Sequence, residues 1–130
     1  MQLLFPKEEE IMYAIWDIGH PCVISEIMRK HPELKRNTVA KVLTILEKKG
    51  YLRVDSIVKT VTRTGRAYAP SVCRDDYEAQ QALMADIVKS ANVQDGILSY
   101  CTTLLDSKKV SEKFVLEMEK LINDFKAKEN

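Results

Sequence analysis

Arg36-Asn37-Thr38-Val39-Ala40-Lys41-Val42-Leu43-Thr44-Ile45-Leu46-Glu47-Lys48-Lys49-Gly50 carries two patterns on one helical period. Val39, Val42, Leu43 and Leu46 follow the i, i+3, i+4, i+7 spacing of a buried stripe. They predict a helix that begins between Lys35 and Asn37 and runs to Lys49. Gly50 then stands at the C′ position, where a left-handed backbone is cheap for glycine. Asn37, Lys41, Thr44 and Lys48 recur every three or four residues on another face, which is polar, rich in donors and free of acids. The first face is built to pack on a core. The second suits a polyanion, because Lys and Asn reach base edges in a major groove while Thr and Arg bind bases or phosphates.

Downstream, Tyr51-Leu52-Arg53-Val54 and Arg66-Ala67-Tyr68-Ala69-Pro70 alternate as half-buried strands do, with the turn-forming Thr64-Gly65 between them. They predict a β-hairpin whose basic tip carries Lys59 and Arg63, with Arg66 at the start of the second strand. Ile57-Val58 and Val61 are able to extend either strand, so the register stays open. Upstream, Pro6 and the acidic Lys7-Glu8-Glu9-Glu10 suit a helix N-terminus. Ile11, Met12, Ile15, Trp16 and Ile18 then recur at helical spacing as far as Gly19. His20-Pro21 breaks the chain; Val23-Ile24 reads as a short strand, and Ser25 as the N-cap of a second helix ending before Pro32. Three helices and a hairpin, with basic residues on the third helix and the hairpin, make a winged helix-turn-helix over residues 1–72.

Charge follows the same division. The net charge of the 130 residues is only +1, yet residues 1–72 hold 12 Lys/Arg against 8 Asp/Glu and residues 73–130 hold 8 against 11. Within residues 31–66 nine basic side chains face three acidic ones. Such a patch is an electrostatic footprint for nucleic acid; charge alone also fits a solvated face, and the helix pattern decides between them. Residues 73–130 read as three short amphipathic helices: one from Asp75 to about Ala91, one from about Val93 to Leu105, and a last one capped by Ser111. Ile97, Leu98, Cys101, Leu104 and Leu105 on the second, and Val115, Met118, Leu121, Ile122 and Phe125 on the third, are more apolar surface than so small a unit can hide. A second copy of the chain is the expected cover, which makes these ten residues the candidate dimerisation surface and the whole a mainly α, α+β chain.

Other chemistries find little support. There is no glycine-rich phosphate loop, G-x-S-x-G elbow or H-E-x-x-H pattern, so no enzyme and no cofactor are expected. Asp75-Asp76 fits a helix start. His20 and Cys22 are too few for a metal site, and none is expected. Cys22, Cys73 and Cys101 lie far apart, as reduced thiols do. No apolar run approaches the ~18 residues of a membrane span, and the N-terminus lacks a basic, apolar leader pattern; a cytoplasmic location without membrane contact is expected. Two rival readings remain: a winged helix that binds protein instead of DNA, and a metal or redox sensor using Cys22, Cys73 or Cys101.

Glu10-Ile11-Met12 through Ala14-Ile15-Trp16-Asp17 with Gly19, Asn37-Thr38-Val39-Ala40-Lys41-Val42-Leu43 leading into Leu46-Glu47-Lys48-Lys49-Gly50-Tyr51-Leu52, and Gly65-Arg66-Ala67-Tyr68-Ala69-Pro70 resemble the BlaI/MecI/CopY repressors of penicillinase and copper-homeostasis operons. The resemblance covers nearly the whole chain and is strongest from residue 8 to 72. It implies a winged-helix homodimer that covers a palindromic operator in double-stranded DNA and represses transcription. Carried over by position, recognition falls on Thr38, Lys41 and Thr44, with wing contacts near Arg63 and Arg66. Together with the bottom-up reading this makes Arg36, Asn37, Thr38, Lys41, Thr44, Lys48, Lys59, Arg63 and Arg66 the candidate DNA contacts. Two departures concern release from DNA. The β-lactam-responsive members are cut at an Asn-Phe bond where this chain has Ser99-Tyr100-Cys101-Thr102-Thr103, and the copper-responsive members carry C-x-C pairs where it has Asn123-Asp124-Phe125-Lys126-Ala127-Lys128-Glu129-Asn130. No small-molecule effector is named by these residues.

Overall fold

The computed structural model describes residues 3–59 and 64–129. Helix α1 (Pro6–Ile18) starts at a proline whose fixed φ suits the first turn, with Glu8 and Glu9 at the positive end of the helix dipole. Glu8 also accepts the Phe5 N–H at 3.1 Å. Gly19 ends the helix at φ 77°, and its N–H reaches the Ile15 carbonyl at 3.3 Å.

The second helix corrects the sequence reading. The strand expected at Val23-Ile24 does not form there, and Ser25 is not the N-cap: α2 (Ile24–Lys30) begins two residues earlier, with Val23 at the cap position. The Glu26 carboxylate supplies the reason, because it reaches back to accept the Val23 N–H at 3.1 Å. Extended pairing falls instead on Cys22, which exchanges backbone hydrogen bonds of 3.0 and 2.8 Å with Tyr68.

Helix α3 (Arg36–Lys48) closes through Lys49 onto Gly50, which takes φ 86°. Strands β1 (Leu52–Lys59) and β2 (Thr64–Pro70) then pair antiparallel. Leu52 faces Pro70 and Val54 faces Tyr68, but Ser56 faces Ala67, so Asp55 is an extra residue in β1. Ile57 and Val58 belong to β1, opposite Arg66 and Gly65. Val61 and Arg63 lie outside the described residues.

The buried stripe of α3 meets Ile11, Met12 and Ile15 of α1, Ile27 of α2, and Tyr51, Leu52 and Tyr68 of the hairpin in one core. Each fully buried Leu, Ile or Met there contributes roughly 1.5–3 kcal/mol before conformational entropy is counted.

Three more helices follow: α4 (Arg74–Lys89), α5 (Val93–Asp106) and α6 (Glu112–Glu129). The expected boundaries for α4 and α5 are met to within two residues. Asn92 caps α5 by accepting the Asp95 N–H at 2.8 Å. Ser111 caps α6 as expected, accepting the Phe114 N–H at 3.1 Å. Among the described residues no helix is long and apolar enough to cross a membrane.

The chain divides into compact units after Glu78, six residues beyond the change in composition at Val72. Tyr77 accounts for the difference. Although it belongs to α4, its ring is buried in the first unit's core, with centroids 5.4 Å from Trp16 and 6.0 Å from Tyr51. Its hydroxyl donates to Glu9. Arg74 adds an ion pair to Asp17 at 3.1 Å and stacks over Tyr13.

In the second unit the close approach of α4 and α5 depends on one residue. A Cβ at Gly96 would stand 2.5 Å from Ile87 Cα, a clash with backbone that no rotamer relieves. Gly96→Ala is therefore expected to destabilise the chain by about 1–3 kcal/mol in chemical unfolding, outweighing the ~1 kcal/mol that alanine gains over glycine within a helix. An unchanged or raised midpoint would contradict this packing.

Candidate nucleic-acid interface

Because Val39, Val42, Leu43 and Leu46 are all buried, the opposite side of α3 is held outward. Arg36, Asn37, Thr38, Lys41, Thr44 and Lys48 are all exposed. The structure thus brings the six candidates from this helix onto one solvent-facing surface. Leu34, buried just ahead of α3, anchors the turn that leads from α2. The first turn of α3 contains no acid, and its N-cap residue, Lys35, supplies no side-chain cap. Its positive dipole end and Arg36 therefore add to the same surface.

Among the described residues, no carboxylate lies within ion-pair distance of Arg36, Lys41, Lys48 or Arg66, whereas Lys49 and Arg74 are engaged. Cations without a protein partner carry counterions that phosphates displace, and that release is the main source of salt-dependent affinity for DNA. Thr44 is partly committed: its Oγ1 donates to the Ala40 carbonyl at 3.2 Å, which leaves its oxygen lone pairs and methyl group to face a ligand.

The hairpin contributes less evenly. Arg66 is exposed, opposite Ile57, whose side chain is 67% accessible. Lys59 is the last residue of β1, paired with Thr64. Arg63 lies outside the described residues. Arg53, also basic, is tied to the hairpin base by donating to the Pro70 carbonyl at 2.7 Å.

Adjacent lysines at the end of α3 have different work. Lys48 is exposed. Lys49 instead pairs with Glu8, which is only 5% accessible, donates to the Leu3 carbonyl at 3.0 Å and covers the Phe5 ring. It is a clamp between α3 and the start of α1.

The cysteines differ as well. Cys22 is buried in the core, and desolvation, followed by the nearby Glu26, pushes its thiol up to about 11. It stays protonated at neutral pH and so is a poor metal ligand or redox nucleophile. Cys73 is exposed and accepts the Asp76 N–H at 3.4 Å at the start of α4, while Cys101 is half-buried; all three are free thiols.

In the second unit the ten candidate dimerisation residues remain largely uncovered. Leu98, Leu121 and Phe125 are each more than 60% accessible, Ile97, Leu105, Val115 and Ile122 are also exposed, and Cys101, Leu104 and Met118 are half-buried. One grouping escaped the sequence reading. Glu10 of α1 meets His31 and Glu33 at the turn between α2 and α3, and the only sequence signal for it is the short His31-Pro32-Glu33 stretch. Glu33 has a carboxyl held below the usual range, first by hydrogen bonding to its own backbone and then by His31.

Substitution separates the two lysines. Lys48→Ala is expected to leave stability within about 0.5 kcal/mol. Lys49→Ala strands Glu8 and is expected to cost about 3–5 kcal/mol, because a buried charge is left without its partner. Equal urea midpoints for the two variants would refute the division of roles.

The penicillinase repressor family model matches residues 4–124. No curated protein matches the chain. Among solved structures, Staphylococcus aureus MarR in complex with salicylate and kanamycin is similar at 11% identity and a TM-score of 0.40, over 95% of this chain and 71% of that one. At that level neither its fold detail nor its ligands are transferred. The family match runs from the start of α1 through the hairpin and into α6: the chain belongs to the penicillinase repressor family of transcriptional repressors.

Proposed function

We propose that this repressor acts as a homodimer on a palindromic operator in double-stranded DNA. The observation that carries the reading is the two-faced character of α3: a stripe sunk in the core, and opposite it an exposed face with Arg36, Lys41 and Lys48 unopposed by any described carboxylate. In this mechanism α3 of each copy enters a major groove. Asn37, Thr38, Lys41 and Thr44 face base edges there, while Arg36 and Lys48 bind phosphates on the flanks. The hairpin lies along the backbone beside it, where Lys59, Arg63 and Arg66 add salt-dependent affinity without much sequence preference.

The apolar residues of α5 and α6 join the two copies in this reading. A palindrome then mirrors the two-fold axis of the dimer, with half-sites one helical turn or a multiple apart, ~34 Å per turn. Repression follows from occupancy of the promoter.

Two measurements test the proposal. Lys41→Ala is expected to weaken binding to the chain's own promoter by about 1–3 kcal/mol and to lose much less on a random duplex of equal length, as read by fluorescence anisotropy over a salt series. Equal losses on both duplexes would reassign Lys41 to the phosphates; weak binding that ignores salt would favour a protein ligand for the winged helix instead. Leu121→Asp combined with Phe125→Asp is expected to convert a dimer to a monomer in sedimentation equilibrium, and a variant that stays dimeric would remove α6 from the interface.

A further inference from the structure

We propose that Glu10, His31 and Glu33 form a binding site for a divalent first-row transition ion that clips α1 to the turn between α2 and α3. His31 Nδ1 lies 3.2 Å from Glu10 Oε1 and 3.1 Å from Glu33 Oε1. One ligand atom from each of the three residues lies within 4.8 Å of the other two. A neutral imidazole nitrogen offers either one proton or one lone pair, and here two carboxylate oxygens crowd the same nitrogen. A metal ion that holds N and O ligands at about 2.0–2.2 Å places neighbouring ligand atoms roughly 3.0–3.5 Å apart, which is the spacing around Nδ1.

The donor set of one imidazole and two carboxylates suits zinc and its neighbours, which accept mixed N and O ligands and complete their shell with water. It differs from the thiolate chemistry of the cysteine rival, and the buried, protonated Cys22 takes no part in it.

The local backbone holds two of the ligands ready. His31 is the C-cap residue of α2, its N–H bonded to the Ile27 carbonyl at 3.2 Å, and its carbonyl accepts the Leu34 N–H at 3.0 Å. Pro32 fixes φ between the two ligands, and Leu34 is buried. Glu10 comes from the middle of α1, so an ion here cross-links elements far apart in sequence and stabilises the folded unit by mass action. The turn it grips runs directly into Arg36, Asn37 and Thr38. An ion would also cancel the two carboxylate charges beside that surface, a consequence that rests on the DNA-binding reading, whereas the site itself does not.

The test is equilibrium dialysis of the metal-stripped full chain against micromolar Zn²⁺. One zinc per chain is expected for the wild type and for the Cys22→Ser, Cys73→Ser, Cys101→Ser triple variant. Loss of that zinc is expected for Glu10→Gln combined with Glu33→Gln and, separately, for His31→Asn. Glu10 and Glu33 are accessible side chains, and a circular-dichroism melt in EDTA that matches the wild type identifies the variants that fold. Zinc is expected to raise the melting temperature of the wild type and of the triple serine variant, and to leave that of the two ligand variants unchanged. No retained zinc in the wild type, equal retention by the folded glutamine variant, or loss in the triple serine variant would each overturn the proposal.

Discussion

Burial of Val39, Val42, Leu43 and Leu46 is the constraint on which the rest of this molecule depends. A helix of 13 residues is marginal by itself in water, and this one is fixed because its apolar stripe closes a core supplied by α1, α2 and the hairpin. The polar face is displayed as a consequence. With the stripe in place, the orientation of Arg36, Asn37, Lys41 and Lys48 follows from helical geometry, and the cost of holding like charges together is met by packing on the other side. The clamp from Lys49 to Glu8 serves the same end, joining the last turn of α3 to the first turn of α1.

A second constraint lies where the two units meet in sequence. Tyr77 and Arg74 belong to α4 yet complete the first unit, through a ring cluster with Tyr13, Trp16 and Tyr51 and through Asp17. Trp16 Nε1 also donates to the Val72 carbonyl at 2.9 Å, so the segment leading into α4 is held to α1. The first unit therefore owns the beginning of the helix that continues into the second. In the second unit the balance is reversed. Gly96 is buried where α4 and α5 come close, while the apolar residues of α6 are left to solvent. A unit of that size with so much uncovered apolar surface is the kind that gains stability from a partner chain.

Much of this is legible from residues because it is local. The two faces of α3, the glycine stops at Gly19 and Gly50, and the Ser111 cap each sit within one helical turn of the signal that announces them. What the residues leave open depends on partners distant in sequence or on side chains reaching back. Val23-Ile24 looks like a strand because both residues are β-branched, but Glu26 caps the helix there and the strand pairing moves to Cys22. Lys48 and Lys49 are identical neighbours, and what commits Lys49 is Glu8, 41 residues away, together with Leu3 and Phe5. The break in composition at Val72 misses Tyr77, whose burial needs three rings from elsewhere in the chain. His31 and Glu33 are visible as a pair, but Glu10 joins them only through the packing of α1.

The central claim is that α3 occupies a major groove in each half of a two-fold site. Dimethyl sulfate interference on the chain's own promoter tests it most directly, because methylation falls on guanine N7 in that groove. The account predicts two symmetric clusters of guanines whose methylation blocks binding, one helical turn or a multiple apart, with no cluster on an unrelated duplex. Binding that survives methylation at every guanine of a site containing them in both halves would place α3 elsewhere and contradict the account.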